Sequence, residues 1–231
     1  MIVYGRNPVR EALRGRRQVE RVWATPKAAR EDWLRGAPSL AQVDAAEIEL
    51  LADSPDHQGV AAEVEPYPYA DAGSLLEADD ALVIALDEVT DPRNLGAIVR
   101  VAEAAGAAGV VIPERRSAEV TPVVAKASAG AVEHLPVARV RNLADWLGEA
   151  KEAGAWVYGA SADGIPYDQP DYRGKVVLVL GSEGRGLRPR VAAMCDELVA
   201  LPLRGRVDSL NVSAAAAALI YGILQFRSQR G

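Results

Sequence analysis

Short apolar segments alternate with helical patterns through the second part of the chain, and this alternation restricts the fold more than any other feature. Helical patterns occupy most of the intervals, including 94–106 and 142–154. The apolar segments are ALVIALD (81–87), GVVIP (109–113), HLPVARV (134–140), AWVYGAS (155–161), KVVLVLG (175–181) and ELVALPL (197–203). Such alternation predicts an α/β fold with a mostly parallel sheet that helices cover on both faces.

The N-terminal part of the sequence predicts a smaller α/β unit. Asn7 before Pro8 indicates the start of one helix, and Asp44 with Glu47 has the spacing of a capping box for another. The expected elements are helices at 8–13, 29–36 and 45–51 and strands at 19–25 and 59–65. Prolines, a glycine and acids then follow, as in a linker. We therefore divide the chain into a domain at 1–65, a linker at 66–80 and a second domain at 81–231.

The cysteine, histidine and charge content excludes several classes of protein. Cys195 is the single cysteine, which rules out a disulfide framework, and neither His57 nor His134 lies near a cysteine pair, so no metal is expected. The chain has no apolar run of membrane-spanning length and no apolar signal region, so we expect no membrane contact and a cytoplasmic location. The net charge is −6, yet residues 1–36 carry nine Lys or Arg against four acids. This imbalance fits an RNA-binding arm and a solvated helix face equally well.

The loop after the first parallel strand carries two candidate site residues. It reads DEVTDPRNLGAIVR (87–100), and ligands of open parallel sheets bind beyond the carboxyl ends of the strands. Arg100 lies off the apolar stripe of the helix that begins at Asn94, and Gly96 one turn earlier leaves room for a ligand there. Considered alone, Arg100 could also be a solvent-exposed arginine on the helix surface, and Asn94 could be the N-cap of the helix.

A second candidate loop, LVLGSEGRGL (178–187), places three glycines around an acid. Glycines at 181, 184 and 186 allow positive φ angles and close approach of the backbone to a ligand. The order is not that of the G-x-G-x-x-G dinucleotide fingerprint. Glu183 inside the loop would repel a pyrophosphate and suits a cationic ligand or a sugar hydroxyl. These features disfavour a nicotinamide- or nucleotide-binding protein.

The third loop, LPLRGRVDSLNVSAAAA (201–217), sets polar side chains before an alanine-rich helix. Together, DPRNLGAIVR, LVLGSEGRGL and this segment resemble the three motifs of the SpoU (TrmH) family of RNA ribose 2′-O-methyltransferases, within the SPOUT superfamily. The segments VYGRNPVREAL, HQGV and 114–137 are similar to the RlmB-type branch, which acts on 23S ribosomal RNA. In the third motif, Arg204, Arg206 and Asp208 stand where relatives usually carry small or neutral residues.

The resemblance implies a deep trefoil knot in the second domain and a first domain similar to ribosomal protein L30e. It also implies S-adenosylmethionine as the cofactor and methylation of a ribose 2′-hydroxyl, with a guanosine of 23S ribosomal RNA as the expected target. By analogy, the cofactor-binding residues are Leu180, Gly181, Leu201, Leu203 and Leu210. The implied catalytic residues are Arg100, Asn94, Glu183, Ser209 and Asn211.

Two further expectations concern assembly and alternative functions. The helix from Asn211 to about residue 228 carries the apolar residues Leu219, Ile220, Ile223, Leu224 and Phe226. A fully buried helix would also carry such a set. In the resembling family this helix packs against its twin, so we expect a homodimer. A transfer-RNA 2′-O-methyltransferase and a non-catalytic RNA-binding protein of the L30e type are the alternatives. The second is disfavoured by the joint presence of Arg100, Glu183, Ser209 and Asn211.

Overall fold

A computed structural model describes residues 1–207 and 209–230. Asp208, singled out in the third motif, lies outside the described residues. Within the described part, no helix is both long and apolar enough to cross a membrane.

The N-terminal part folds as a four-stranded sheet with two helices. Its elements are β1 (Ile2–Tyr4), α1 (Arg6–Ala12), β2 (Val19–Ala24), β3 (Leu40–Gln42), α2 (Ala45–Ala52) and β4 (Val60–Val64). The strand order is β1-β4-β2-β3, and only the β2–β3 pair among these is parallel. The strands predicted at 19–25 and 59–65 are confirmed, as is the capping role of Asp44, whose carboxylate accepts the amide of Glu47 at 2.8 Å.

Two local predictions for this part are wrong, and two short strands were not predicted. Gly5, not Asn7, is the N-cap of α1, because its φ of 96° turns the chain in a way that glycine tolerates. The helix expected at 29–36 consists of two 3₁₀ turns, Ala28–Arg30 and Asp32–Leu34. Strands β1 and β3 were not predicted, because each is only three residues long and too short for an alternating pattern to show.

The second part contains the predicted parallel sheet. Its strands are β5 (Leu82–Asp87), β6 (Gly109–Pro113), β7 (Val137–Val140), β8 (Trp156–Pro166), β9 (Val176–Gly181) and β10 (Glu197–Ala200). The order is β10-β8-β9-β5-β6-β7, and every neighbouring pair is parallel. The helices are α3 (Pro92–Ala104), α4 (Pro122–Ala127), α5 (Leu143–Glu152), α6 (Pro189–Ala192) and α7 (Val212–Arg230). Helices α4 and α6, of six and four residues, were not predicted from the sequence.

The sheet is apolar on both faces, as expected for a doubly covered layer. Side chains of β5 alternate between two apolar clusters: Ile84 packs with α3 and α7, and Val83 packs with α5. From β5 the chain passes to β6 and β7 on one side and then crosses to β8 and β9 on the other. The order therefore reverses between β5 and β9, and a crevice forms beyond the carboxyl ends of strands at such a point.

The segment 66–80 runs against the edge of the parallel sheet. Tyr67 donates its hydroxyl proton to the carbonyl of Leu135 at 3.1 Å and accepts the amide of Val137 at 3.1 Å. The amide of Ala70 donates to the Val137 carbonyl at 2.9 Å, and Ala70 pairs with Ala138 in a short parallel bridge. The segment is thus bound along β7.

A buried ion pair joins the two parts of the chain. The Arg17 guanidinium donates to both carboxylate oxygens of Glu133, with 2.9 Å from Nε to Oε2. The Arg17 and Glu133 side chains are 3% and 1% exposed. Arg17 also donates to the Glu65 carbonyl at 2.9 Å, and Lys126 donates to the Asp56 carbonyl at 2.7 Å. The two parts therefore share a polar interface, in addition to an apolar cluster that spans both.

Candidate functional site

In the first motif, Asn94 lies within α3, and its side-chain amide contacts a residue of the second motif. Asp91 caps α3, accepting the amide of Arg93 at 2.7 Å, and Pro92 occupies the first helical position. The N-cap interpretation of Asn94 is therefore wrong. Asn94 is 8% exposed and donates from Nδ2 to Glu183 Oε1 at 3.1 Å. Because Asp91 caps α3, the side-chain amide of Asn94 is free to contact the loop of the second motif.

The second motif forms a closed loop that needs its glycines. Ser182 and Gly186 exchange backbone hydrogen bonds of 3.2 and 2.9 Å, which fold the loop back on itself. A Cβ built on Gly181 would lie 2.2 Å from the carbonyl carbon of Gly186, and the φ angles of Gly184 and Gly186 are 77° and 65°. The prediction that this loop requires its glycines is confirmed. Gly181 is needed for close backbone approach, and Gly184 and Gly186 adopt positive φ angles.

Glu183, Asn94 and Asn211 meet in one hydrogen-bonded group, here called the polar cluster. Glu183 Oε1 accepts Nδ2 of Asn211 at 2.7 Å in addition to the amide of Asn94. Asn211 Nδ2 also donates to Asn94 Oδ1 at 3.0 Å. The Asn211 Oδ1 atom caps α7 by accepting the amide of Ser213 at 2.9 Å. Asn211 therefore uses both ends of its amide, and the cluster joins the three motifs.

Arg100 and Ser209 do not join the polar cluster. Arg100 is exposed on α3, and the described residues provide no ion pair or hydrogen bond to its guanidinium. The room predicted beside Gly96 is taken by α4, because a Cβ on Gly96 would lie 2.5 Å from the Ala127 Cβ. The prediction of ligand space there is wrong. Ser209 is exposed and borders a pocket next to the cluster.

That pocket lies beyond the carboxyl ends of β9 and β10, beside residues 160–163 of β8, and has a volume of about 520 Å³. Its lining includes all five residues predicted to hold a cofactor, namely Leu180, Gly181, Leu201, Leu203 and Leu210. Glu183 contributes to the wall, so the polar cluster borders the cavity. The structure thus brings the predicted cofactor residues together around one space.

One side of the pocket, which β8 lines, was not predicted from the sequence. The predicted strand ended at Ser161, but β8 continues to Pro166 and places Ser161 and Asp163 on the pocket. Gly164 allows this continuation, since a Cβ there would lie 2.6 Å from the backbone of Leu198. That glycine was the one signal in the sequence for close packing at this point.

Two alternative chemistries find no support in the described residues. Burial raises the pKa of the Cys195 thiol to about 12, so the thiol stays protonated at neutral pH and is a poor nucleophile. Residues 1–207 and 209–230 contain no group of three or more His, Cys, Asp or Glu side chains placed to hold a metal ion.

Comparisons with known proteins fit this arrangement. A model described as the SpoU rRNA methylase family matches residues 81–221, and one described as RNA 2′-O ribose methyltransferase substrate binding matches residues 2–70. A relative from Synechocystis, named an uncharacterized tRNA/rRNA methyltransferase, is 41% identical over 240 residues. The alignment covers 98% of this chain and 62% of the relative, so the chain spans less than two thirds of that protein's length.

Solved structures agree over nearly the whole chain. The SpoU methyltransferase AviRb from Streptomyces viridochromogenes, in complex with the cofactor AdoMet, has a TM-score of 0.82 at 26% identity, covering 99% of this chain and 90% of AviRb. An AdoMet-bound rRNA methyltransferase from Sinorhizobium meliloti has a TM-score of 0.82 at 27% identity, covering 97% and 86%. With the family model matching most of the second part of the chain, where the three motifs meet, the protein belongs to the SpoU methylase family of RNA methyltransferases.

Proposed function

We propose that this protein transfers a methyl group from S-adenosylmethionine to a ribose 2′-hydroxyl of RNA, with a guanosine of 23S ribosomal RNA as the target. The observation that carries the proposal is the polar cluster at the rim of a pocket made from the second and third motifs. The 2′-O position is supported by the description of the model that matches residues 2–70.

The pocket suits S-adenosylmethionine, the cofactor of this family. Its volume of about 520 Å³ falls within the usual range for small-molecule sites. Leu180, Leu201 and Leu210 offer apolar surface for an adenine ring, and the glycine-rich loop exposes backbone groups for polar contacts. When bound, the cofactor supplies an electrophilic methyl group on a sulfonium. The chain's task is to hold the accepting oxygen in line with that methyl and to stabilise charge on the oxygen.

The roles of the polar residues follow from their contacts. Asn94 and Asn211 fix the Glu183 carboxylate by direct hydrogen bonds, so Glu183 is held in place at the pocket wall. There it can accept the proton that the 2′-hydroxyl loses, directly or through a phosphate of the RNA. Arg100 is a guanidinium, which stays protonated, so we assign it to orienting the ribose and stabilising negative charge. Ser209 borders the same pocket and can donate a hydrogen bond to the substrate.

We further propose that the catalytic unit is a homodimer. Arg100 lies outside the polar cluster of its own chain, and Tyr221 on α7 is 51% exposed. Pairing of α3 and α7 across a two-fold axis would cover that face and let each protomer complete the other's site. Within each protomer we propose an RNA-binding, L30e-like domain at 1–65, a linker at 66–80 and a knotted methyltransferase domain at 81–231.

The test is to map 2′-O-methyl marks in ribosomal and transfer RNA from cells with and without the gene. We expect one guanosine mark of 23S ribosomal RNA to disappear and to return with the wild-type gene but not with Arg100→Ala. Arg173→Ala, in the exposed loop at the amino end of β9, opposite the carboxyl end that borders the pocket, is the matched control and should restore the mark. Loss of a transfer-RNA mark instead would establish the alternative substrate. An unchanged set of marks would refute the proposal.

A further inference from the structure

The three motif segments carry five exposed arginines that have no ionic partner among the described residues. These motif arginines are Arg93, Arg100, Arg185, Arg204 and Arg206. Elsewhere, several arginines are tied to carboxylates, as in the pairs Arg6–Glu31, Arg35–Asp32, Arg139–Glu119 and Arg190–Asp145, whereas others form no ion pair with the described residues, namely Arg16, Arg21, Arg30, Arg115 and Arg141. Exposed guanidinium groups left unpaired around a pocket are suited to bind anions from solution.

Arg185 and Arg188 show the contrast within one loop. Arg188 is held by the fully buried Asp87, with 2.7 Å from Nε to Oδ1 and 2.8 Å from its backbone amide to Oδ2. Arg185, three residues earlier, projects from the closed glycine loop into solvent at the rim of the pocket. The fold thus fixes one arginine as part of the scaffold and leaves the other free to bind a ligand.

The segment from Leu203 to Val207 extends this basic rim. Leu203 borders the 520 Å³ pocket and also a neighbouring cavity of about 620 Å³, whose lining includes Arg206. Arg204 lies between them in the chain and is exposed. Among the described residues, Arg185, Arg204 and Arg206 form no ion pair with Glu183 or with Asp168, which lines the second cavity beside Arg206.

We propose that Arg185, Arg204 and Arg206 bind phosphates of the RNA backbone beside the nucleotide being methylated. This inference rests on the proposed function and adds a second RNA contact to the one expected from residues 1–65. Arginine is favoured for phosphate because its planar fork donates two parallel hydrogen bonds. The contacts would hold the target ribose at the mouth of the pocket in spite of the chain's net charge of −6.

The experiment compares RNA binding by wild type, Arg204→Ala/Arg206→Ala and the control Arg173→Ala/Lys175→Ala, which removes the same charge at the amino end of β9, opposite the end that borders the pocket. The probe is a fluorescein-labelled, mixed-sequence single-stranded RNA of about 30 nucleotides, titrated at several salt concentrations. For two lost phosphate contacts, the slope of log K against log salt should fall by about 1.4, and affinity near 0.1 M salt should fall roughly tenfold. Affinity for S-adenosylmethionine should not change.

A lysine variant and a measurement of ATP binding distinguish the possible explanations. Arg204→Lys/Arg206→Lys should restore the salt slope, because charge is kept even though the planar fork is lost. ATP is the probe for a free-phosphate site: if the alanine variant loses ATP binding but binds RNA like the control, the inference is overturned. Equal RNA slopes for the alanine variant and the control would overturn it as well. A wild-type protein that methylates no RNA refutes the proposed function instead, so the two failures are distinguishable.

Discussion

Replacing Arg17 with alanine should destabilise the whole protein, because the buried carboxylate of Glu133 is then left without its partner. Glu133 is 1% exposed at its side chain and receives two hydrogen bonds from the Arg17 guanidinium. Removing one partner of a buried ion pair costs about 3–5 kcal/mol, since the remaining charge has neither water nor a counter-ion. For a chain of this size, that corresponds to a fall in melting temperature of roughly 6 to 20 °C.

The assay is thermal and urea unfolding followed by tryptophan fluorescence, with reporters in both parts of the chain, namely Trp23, Trp33, Trp146 and Trp156. Arg35→Ala is the matched control: Arg35 and its partner Asp32 are 80% and 83% exposed, so we expect a loss below about 1 kcal/mol. Arg17→Leu/Glu133→Leu should recover most of the stability, because no charge remains buried. The reasoning fails if Arg17→Ala and Arg35→Ala lower the melting temperature equally.

Three other predictions concern the site and the assembly. Gly181→Ala should weaken S-adenosylmethionine binding about 10- to 100-fold in calorimetry, because its Cβ would meet the Gly186 backbone at 2.2 Å and force the loop open; Gly205→Ala, with nothing closer than 3.9 Å, should bind normally. Glu183→Ala should cost roughly 1 kcal/mol in unfolding free energy, because the buried Asn94 amide loses its acceptor while the exposed Asn211 keeps its bond to Asn94, and Glu183→Gln should keep that stability while lowering the methylation rate; equal rates for Gln and wild type would remove the carboxylate from the mechanism. Leu224→Arg should convert the dimer to monomers in light scattering at micromolar concentration and abolish activity, and a wild-type monomer that is active would contradict the dimer.

The parallel sheet was predictable because each strand is a short apolar run and a helix follows every strand except β8. Such a signal does not depend on distant contacts, and all six strands were located, with errors only at their ends. The end of β8 was missed because its last residues pair with β10, a contact that the local pattern of ASADGIP does not encode. Likewise, the edge strands β1 and β3 exist only through their neighbours.

The sequence predicted which residues belong to the candidate site better than it predicted how they are arranged. The three loops and the glycines of the second motif were predicted from the sequence pattern, since loops at the carboxyl ends of parallel strands converge, whereas the pocket residues were predicted from the resemblance to the SpoU family. The cap of α3 was misassigned because Asp91 and Asn94 are both good capping residues and only the tertiary contact to Glu183 distinguishes them. The space beside Gly96 was misjudged for a related reason, since α4 packs there and had not been predicted.

The binding of residues 66–80 along β7 also bears on the solubility of the protein. β7 is the last strand of its sheet, and an uncovered outer strand presents free amide and carbonyl groups that can pair with another chain. Tyr67 and Ala70 occupy such groups at Leu135 and Val137, so the connection between the two parts also shields the sheet from intermolecular pairing. Proteolysis just after Ala70 would free this cover, and the C-terminal fragment would then tend to aggregate through β7 even if its core stayed folded.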